Sequence, residues 1–185
     1  IALLILSPLM ITVAITIKME SEGPVIFKQT RVGKNGRHFI FYKFRSMRKT
    51  AEADKQKILS QNESKDGVIF KMKDDPRITS VGKFIRKYSI DELPQFFNVL
   101  EGSMSLVGPR PPLPDEVKEY TLEDRKRLHI TPGITCIWQI AGRSNIPFKK
   151  QVSLDEEYIK NRGFFRDIVI LLKTIPAVLT GRDAY

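Results

Sequence analysis

Cysteine occurs once in this chain, at position 136, so no intramolecular disulfide can hold it together, and a reducing compartment is the expectation. Histidine occurs twice, as His38 and His129, and two such isolated imidazoles do not suggest a metal centre. No GxGxxG and no P-loop is present, and GKNG (33–36) reads only as a turn. The absence of internal repeats, low-complexity tracts and linker-like stretches predicts one domain. Acid is also scarce. Lys and Arg total 31 against 21 Asp and Glu, a formal net charge of +10, and eight of the basic residues fall between Pro24 and Ala51, where no acid occurs. Such a surface attracts anions: nucleic acid, anionic lipid or phosphorylated small molecules. With 42% hydrophobic and 28% charged residues, wholesale disorder is excluded.

What is present begins with IALLILSPLMITVAITI (1–17), a run without charge that ends at Lys18, Glu20 and Glu22. It starts without methionine, partway through an apolar segment, so upstream residues are expected. It lacks the basic n-region and small-residue cleavage site of a signal peptide. As a helix it would span roughly 26 Å against a hydrocarbon core of about 30 Å. Pro8 removes one helical hydrogen bond and predicts a kink; the Ser7 hydroxyl can bond back one turn to the freed carbonyl. A buried core helix, a spanning helix and a kinked re-entrant or interfacial helix all remain open, and membrane association is the expectation.

Further along, VIFKQTRV (25–32) and RHFIFYKFRSM (37–47) read as strands joined at Asn35-Gly36. The interleaved Phe39, Phe41, Tyr42 and Phe44 imitate a nucleic-acid surface but read as the buried face of a strand pair. Residues 50–66 predict a short surface helix or loop, and 68–72 a strand. Ser80 predicts an N-cap for a helix with Val81, Phe84, Ile85 and Tyr88 on its apolar face. VGPRPP (107–112) must be extended. Residues 116–129 read as helical, 131–140 as a turn leading into a strand, 141–145 as a loop and 154–161 as helical. Residues 164–179 read as an apolar helix, interfacial or core, with Pro176 inside. Cys136 reads as a core residue.

The segment SIDELPQ (89–95) places two adjacent carboxylates, Asp91 and Glu92, in this basic chain. One reading is structural: Ser89 and Glu92 form a capping box. That puts Pro94 too deep in the helix, whereas a cap at Asp91 puts it in the first turn, where proline is tolerated. Both carboxylates would then lie at a helix start, where the partial positive charge favours their ionised form. An ionised, positioned aspartate suits nucleophilic attack, and a second carboxylate suits a divalent cation that grips phosphate oxygens. Arg110 in GPRPP and Arg143 in AGRSN lie in Gly- or Pro-rich loops suited to phosphate, although either is equally a surface arginine. Besides an enzyme, a basic membrane-binding module and a nucleic-acid binder remain open.

The segments LSPL (6–9), GPVIFKQTRVG (23–33), FYKFRSM (41–47), 74–112, PGIT (132–135), WQIAGRS (138–144) and DEEYIKN (155–161) together resemble the bacterial sugar transferase family, the monotopic phosphoglycosyl transferases that initiate O-antigen, capsule and exopolysaccharide assembly. The resemblance implies transfer of a sugar-1-phosphate from a UDP-sugar to polyprenyl (undecaprenyl) phosphate, with release of UMP and use of Mg2+, through an aspartyl-phosphosugar intermediate. It implies Asp91 and Glu92 as the catalytic pair and metal ligands. Arg86, Arg110, Arg143, Asp155 and Tyr158 are the implied substrate- and phosphate-binding residues, and Ser7-Pro8 the implied break of a re-entrant membrane helix. Many relatives have glycine where this chain has Cys136. The expected architecture is a mixed α/β, membrane-associated domain: a re-entrant helix over 1–22, then a catalytic domain over 23–185 with a β-hairpin and interfacial amphipathic helices. The expected location is the cytoplasmic face of a bacterial inner membrane, with anionic lipid as partner, no nucleic acid, and homo-oligomer formation left open.

Overall fold

The computed structural model describes residues 2–58, 62–63, 70, 72 and 74–181. The apolar run forms one helix, α1 (Ala2–Glu20), that continues through Pro8. Pro8 has no amide to offer the Leu4 carbonyl, and Ser7 Oγ donates to that carbonyl at 2.8 Å instead. Only Val13 and Ile17 of this helix are buried; Leu4, Ile5, Ile11, Ile15 and Met19 are exposed. By length and composition α1 is apolar enough to cross a membrane.

Strands β1 (Ile26–Val32) and β2 (His38–Phe44) pair antiparallel in register Ile26↔Phe44 through Val32↔His38, as their pattern predicts. The turn between them needs left-handed backbone, supplied by Asn35 (φ 55°) and Gly36 (φ 78°). Phe41 and Phe44 are buried, so these aromatics are packing rather than an exposed stacking surface. The hairpin then holds other segments on both outer edges. On the β2 edge the fully buried Asn98 side chain accepts from the Tyr42 amide at 3.1 Å and donates to the Ile40 carbonyl at 2.7 Å, imitating a third strand. On the β1 edge the Val32 amide donates to the Pro112 carbonyl at 2.9 Å, and Arg31 Nη1 donates to the Pro111 carbonyl at 3.0 Å.

After α2 (Ala51–Ile58), helix α3 (Ser80–Lys87) starts one residue earlier in its cap than the sequence suggests: Thr79, not Ser80, accepts from the Gly82 amide. The strand expected over 68–72 falls mainly outside the described residues; Phe70 and Met72 lie outside any strand. Helix α4 (Gln95–Leu100) leads to β3 (Ser105–Val107), which pairs parallel with β4 (Gly133–Thr135). The two backbones meet so closely there that a Cβ on Gly133 would lie 2.1 Å from the Gly108 nitrogen.

Two sequence expectations in this half are corrected. Residues 116–129 are not one helix but α5 (Pro114–Lys118) followed by a 3-10 turn over Asp124–His129. A reciprocal cap breaks them apart: the Thr121 amide donates to Asp124 Oδ2 at 3.0 Å, and the Asp124 amide to Thr121 Oγ1 at 3.3 Å. The strand expected over 131–140 ends at Thr135, and α6 (Ile137–Ala141) follows. Helices α7 (Phe148–Asn161) and α8 (Phe164–Thr180) follow; only Ile170 of α8 is buried. The mixed α/β class stands.

Of the buried clusters among the described residues, two join these parts, each buried aliphatic contributing ~1.5–3 kcal/mol. Val13 and Ile17 of α1 meet Phe44 and Ile85, while Val107, Ile130, Tyr158 and Ile170 join β3 to α7 and α8. Polar clamps fix α1 to the first cluster. Arg45 Nη2 donates to the Ser21 carbonyl at 2.7 Å and the Ile17 carbonyl at 3.4 Å, occupying acceptors that a helix end leaves open. Glu20 accepts from the Val81 amide at 2.9 Å, at the start of α3.

Candidate active site

A cavity of about 810 Å3 opens between the hairpin, the segment carrying Asp91, the Pro-rich segment after β3, and α6. Lys43, Arg86, Asp91, Glu92, Arg110 and Arg143 all line it. Five of these were singled out from the sequence. The sixth, Lys43, was not, although a lysine alternating with Phe39 and Phe41 on one strand face was the available signal.

Asp91 is not an N-cap. Ser89 adopts a left-handed conformation (φ 53°), ends α3 and opens a 3-10 turn over Ile90–Glu92, in which the Glu92 amide donates to Ser89 O and the Leu93 amide to Ile90 O, both at 3.2 Å. Pro94 has no amide to extend this turn and stands at the N-cap of α4. The carboxylates therefore owe their electrostatics to side-chain cations rather than to a helix end. Lys43 Nζ lies 2.7 Å from Glu92 Oε1 and 3.5 Å from Asp91 Oδ2, and Arg110 Nη1 lies 3.4 Å from Glu92 Oε1. Burial alone would raise Glu92, but Lys43 and Arg110 overcome it and hold this carboxyl at about 2. Burial pushes Asp91 above the ordinary aspartate range; Lys43, farther off, opposes this incompletely, and the Glu92 charge adds to the rise.

Each partner is placed by the hairpin. Lys43 projects from β2, whose outer edge is tied to α4 by Asn98, and the Arg110 segment is tied to β1 through Val32 and Arg31. Arg143 also has left-handed backbone (φ 46°), and its Nη2 donates to Ser89 Oγ at 2.5 Å. Two strained non-glycine residues thus hold one another beside the carboxylates. Arg86, in the last turn of α3, lowers the Asp91 pKa without any direct bond to it among the described contacts.

Asp155 and Tyr158 lie elsewhere. Both are buried on α7 and neither lines the cavity. Asp155 Oδ2 lies 2.5 Å from Arg127 Nη2, and Arg127, which does line the cavity, donates to Tyr120 Oη at 3.2 Å. Burial pushes Asp155 up to about 6, with Arg127 restraining the rise. Tyr158 Oη donates to Asp167 Oδ1 at 2.8 Å and packs in the second cluster. Cys136 is buried, and burial raises its thiol well above the ordinary value, which suits an inert core residue. Ser7 and Pro8 likewise do not line the cavity.

Among the described residues no group of three or more His, Cys, Asp and Glu could hold a metal. The Asp91–Glu92 pair is a set of hard oxygen donors, which fits Mg2+, an ion commonly held by one or two carboxylates together with substrate phosphates.

The bacterial sugar transferase family model matches residues 1–181. The chain belongs to the bacterial sugar transferase family. Among curated relatives it is 56% identical over 163 residues to the galactosyl transferase CpsE of Streptococcus agalactiae, covering 88% of this chain and 36% of that protein. It is 44% identical to the undecaprenyl-phosphate galactose phosphotransferase of Salmonella typhimurium, covering 99% of this chain and 39% of the relative. It is 38% identical to the exopolysaccharide production protein ExoY of Sinorhizobium fredii, covering 100% of this chain and 83% of ExoY. This bacterial sugar transferase chain therefore spans well under half of the first two relatives and most of the third.

Proposed function

We propose that this chain transfers a sugar-1-phosphate from a UDP-sugar to polyprenyl (undecaprenyl) phosphate, as the first membrane step in building a bacterial surface polysaccharide. The observation that carries the reading is the buried Asp91–Glu92 pair, held by Lys43 and Arg110 inside a basic cavity. The names of the undecaprenyl-phosphate phosphotransferase relatives supply the substrate class.

In this mechanism an Asp91 carboxylate oxygen attacks the phosphorus attached to the sugar. The bond from that phosphorus to the bridging oxygen breaks, and UMP leaves with the oxygen. A phosphate oxygen of the polyprenyl phosphate then attacks the same phosphorus and releases Asp91 as carboxylate. Arg110 and Arg143 bind phosphate oxygens and Lys43 neutralises charge there, with Arg86 adding to the positive field. Asp155 and Tyr158 act behind the cavity wall, Asp155 by orienting Arg127. A magnesium ion bound by Asp91 and Glu92 would supply further neutralisation of the phosphate oxygens.

A covalent intermediate suits one soluble and one bilayer-held substrate, because the two need not bind together. Exposed apolar residues of α1, and Phe164, Phe165, Leu172 and Ile175 of α8, are assigned to the membrane, α1 as a re-entrant helix bent at Ser7-Pro8 and α8 as an interfacial one, on the cytoplasmic face. The test is UMP release by purified protein given polyprenyl phosphate and a panel of UDP-sugars. UMP dependent on both substrates supports the reading. Binding to anionic vesicles or nucleic acid with no UMP from any UDP-sugar would replace it.

A further inference from the structure

Lys43 stands in a peculiar relation to the pair it serves. Its ammonium lies 2.7 Å from one carboxylate and 3.5 Å from the other, so it already acts as the cation that the two acids share. It is largely buried, at 17% side-chain exposure, and packs against the Phe41 ring with its Nζ 5.6 Å from the centroid. Arg110 adds a second positive charge at 3.4 Å from Glu92, and Arg31, buried nearby, is bonded to the Pro111 carbonyl and to Gln29 rather than to an acid. A pair of carboxylates with two cations on it has little net charge left with which to attract a divalent ion.

Resting on the transferase reading above, we propose that Lys43 and a divalent cation compete for Asp91 and Glu92, so that metal binds firmly only once substrate phosphates draw the ammonium away. Lys43 has the means to make that exchange. Its flexible stem ends in three donors with no fixed plane, so it can leave a carboxylate for a phosphate oxygen without rebuilding the wall around it. Arg110 can turn from Glu92 to phosphate in the same way, since its contact is the longer one and its side chain is 35% exposed. The consequence is ordered loading. Nucleotide engages Lys43 first and metal binds firmly after it, and the carboxylates stay paired with lysine while nucleotide is absent.

The experiment measures metal alone. Mn2+ is titrated calorimetrically into the intact chain in detergent, without nucleotide, for wild type, Lys43→Met and Lys43→Gln. Thermal melting checks that each variant is folded, and two replacements of different polarity guard against one failing to fold. Both variants should bind Mn2+ at least tenfold more tightly than wild type, and adding Glu92→Gln to Lys43→Met should remove that gain. Affinity in a folded variant equal to or weaker than that of wild type overturns the proposal, as does a gain that survives Glu92→Gln. The transferase reading is judged separately by UMP release from wild type, so either can fail alone.

Discussion

The buried carboxylates at Asp91–Glu92 and at Asp155 sit in the same basic chain, and they behave differently. Around Asp91 and Glu92 the acids belong to a 3-10 turn, the cations come from a hairpin and a Pro-rich segment, and all of them line the cavity. Around Asp155 the acid belongs to a long helix, its partner Arg127 is equally buried, and only the arginine reaches the cavity. Glu92 has two cations against one neighbouring acid and is held at about 2. Asp155 has one cation, and burial takes it to about 6. A site built from short, edge-held segments leaves charged groups open to a ligand, whereas a pair locked between a long helix and a buried 3-10 turn serves the packing around it.

The largest test of this contrast is Asp91→Asn. Transfer should fall to background, because an amide cannot form the phosphosugar ester, while the melting temperature moves by less than ~2 °C, since Asp91 caps nothing and Glu92 keeps its partners. With UDP-sugar alone, wild type should release about one UMP per active site and gain the mass of a sugar phosphate at Asp91. Full turnover by the variant, or an adduct on another residue, would sink the mechanism while leaving family membership intact.

Asp155→Asn should behave differently. At neutral pH it exchanges a carboxylate that burial disfavours for a neutral amide beside Arg127, so the melting temperature should hold or rise rather than fall. Turnover per folded molecule should fall far less than in Asp91→Asn. If turnover vanished at unchanged melting temperature, Asp155 would belong to the reacting centre and the contrast would collapse.

Arg110→Ala and Arg143→Ala should each reduce transfer about tenfold or more, as loss of a charged hydrogen bond of ~1.5–3 kcal/mol requires. Lysine at either position should recover only part of the rate, because the planar fork is lost. Wild-type rates in both alanine variants would make them ordinary surface charges.

The smallest effect is a difference of sign. Asp155 has a raised pKa, so its contribution to stability is present below the ordinary aspartate range and is lost as pH rises through about 6. Glu92 has a depressed pKa, so its contribution is present above 4.5 and is lost as pH falls towards about 2. Melting curves across pH should therefore lose their downward slope between about pH 4 and 6 in Asp155→Asn, and lose part of their acid-side fall in Glu92→Gln. Slopes unchanged in both variants would mean that other groups carry the pH dependence.

Much of this was legible in the residues themselves. The hairpin follows from its alternation and Asn35-Gly36, the Leu4 carbonyl finds Ser7 because Pro8 has no amide, and α3 follows from its apolar spacing. Thr121 and Asp124 carry a legible cap that was overlooked, and it divides 116–129 into two pieces. The short α6 was not legible, because ITCIWQI is apolar and β-branched enough to read as strand while packing against α7 and α8 decides otherwise.

What the sequence determined by itself is local: which segments are apolar, where backbone turns, and that an Asp-Glu pair stands in a basic chain. Tertiary structure alone decided that Lys43, 48 and 49 residues away along the chain from Asp91 and Glu92, supplies the charge which a helix end was expected to provide. It also decided that Asp155 lies behind the cavity wall while Arg143 reaches back to Ser89. The reason is physical. Propensity and capping act over a few residues, but electrostatics at a buried site depends on distances between segments, and those were set here by Asn98 gripping one edge of the hairpin and by Arg31 of the other edge holding Pro111.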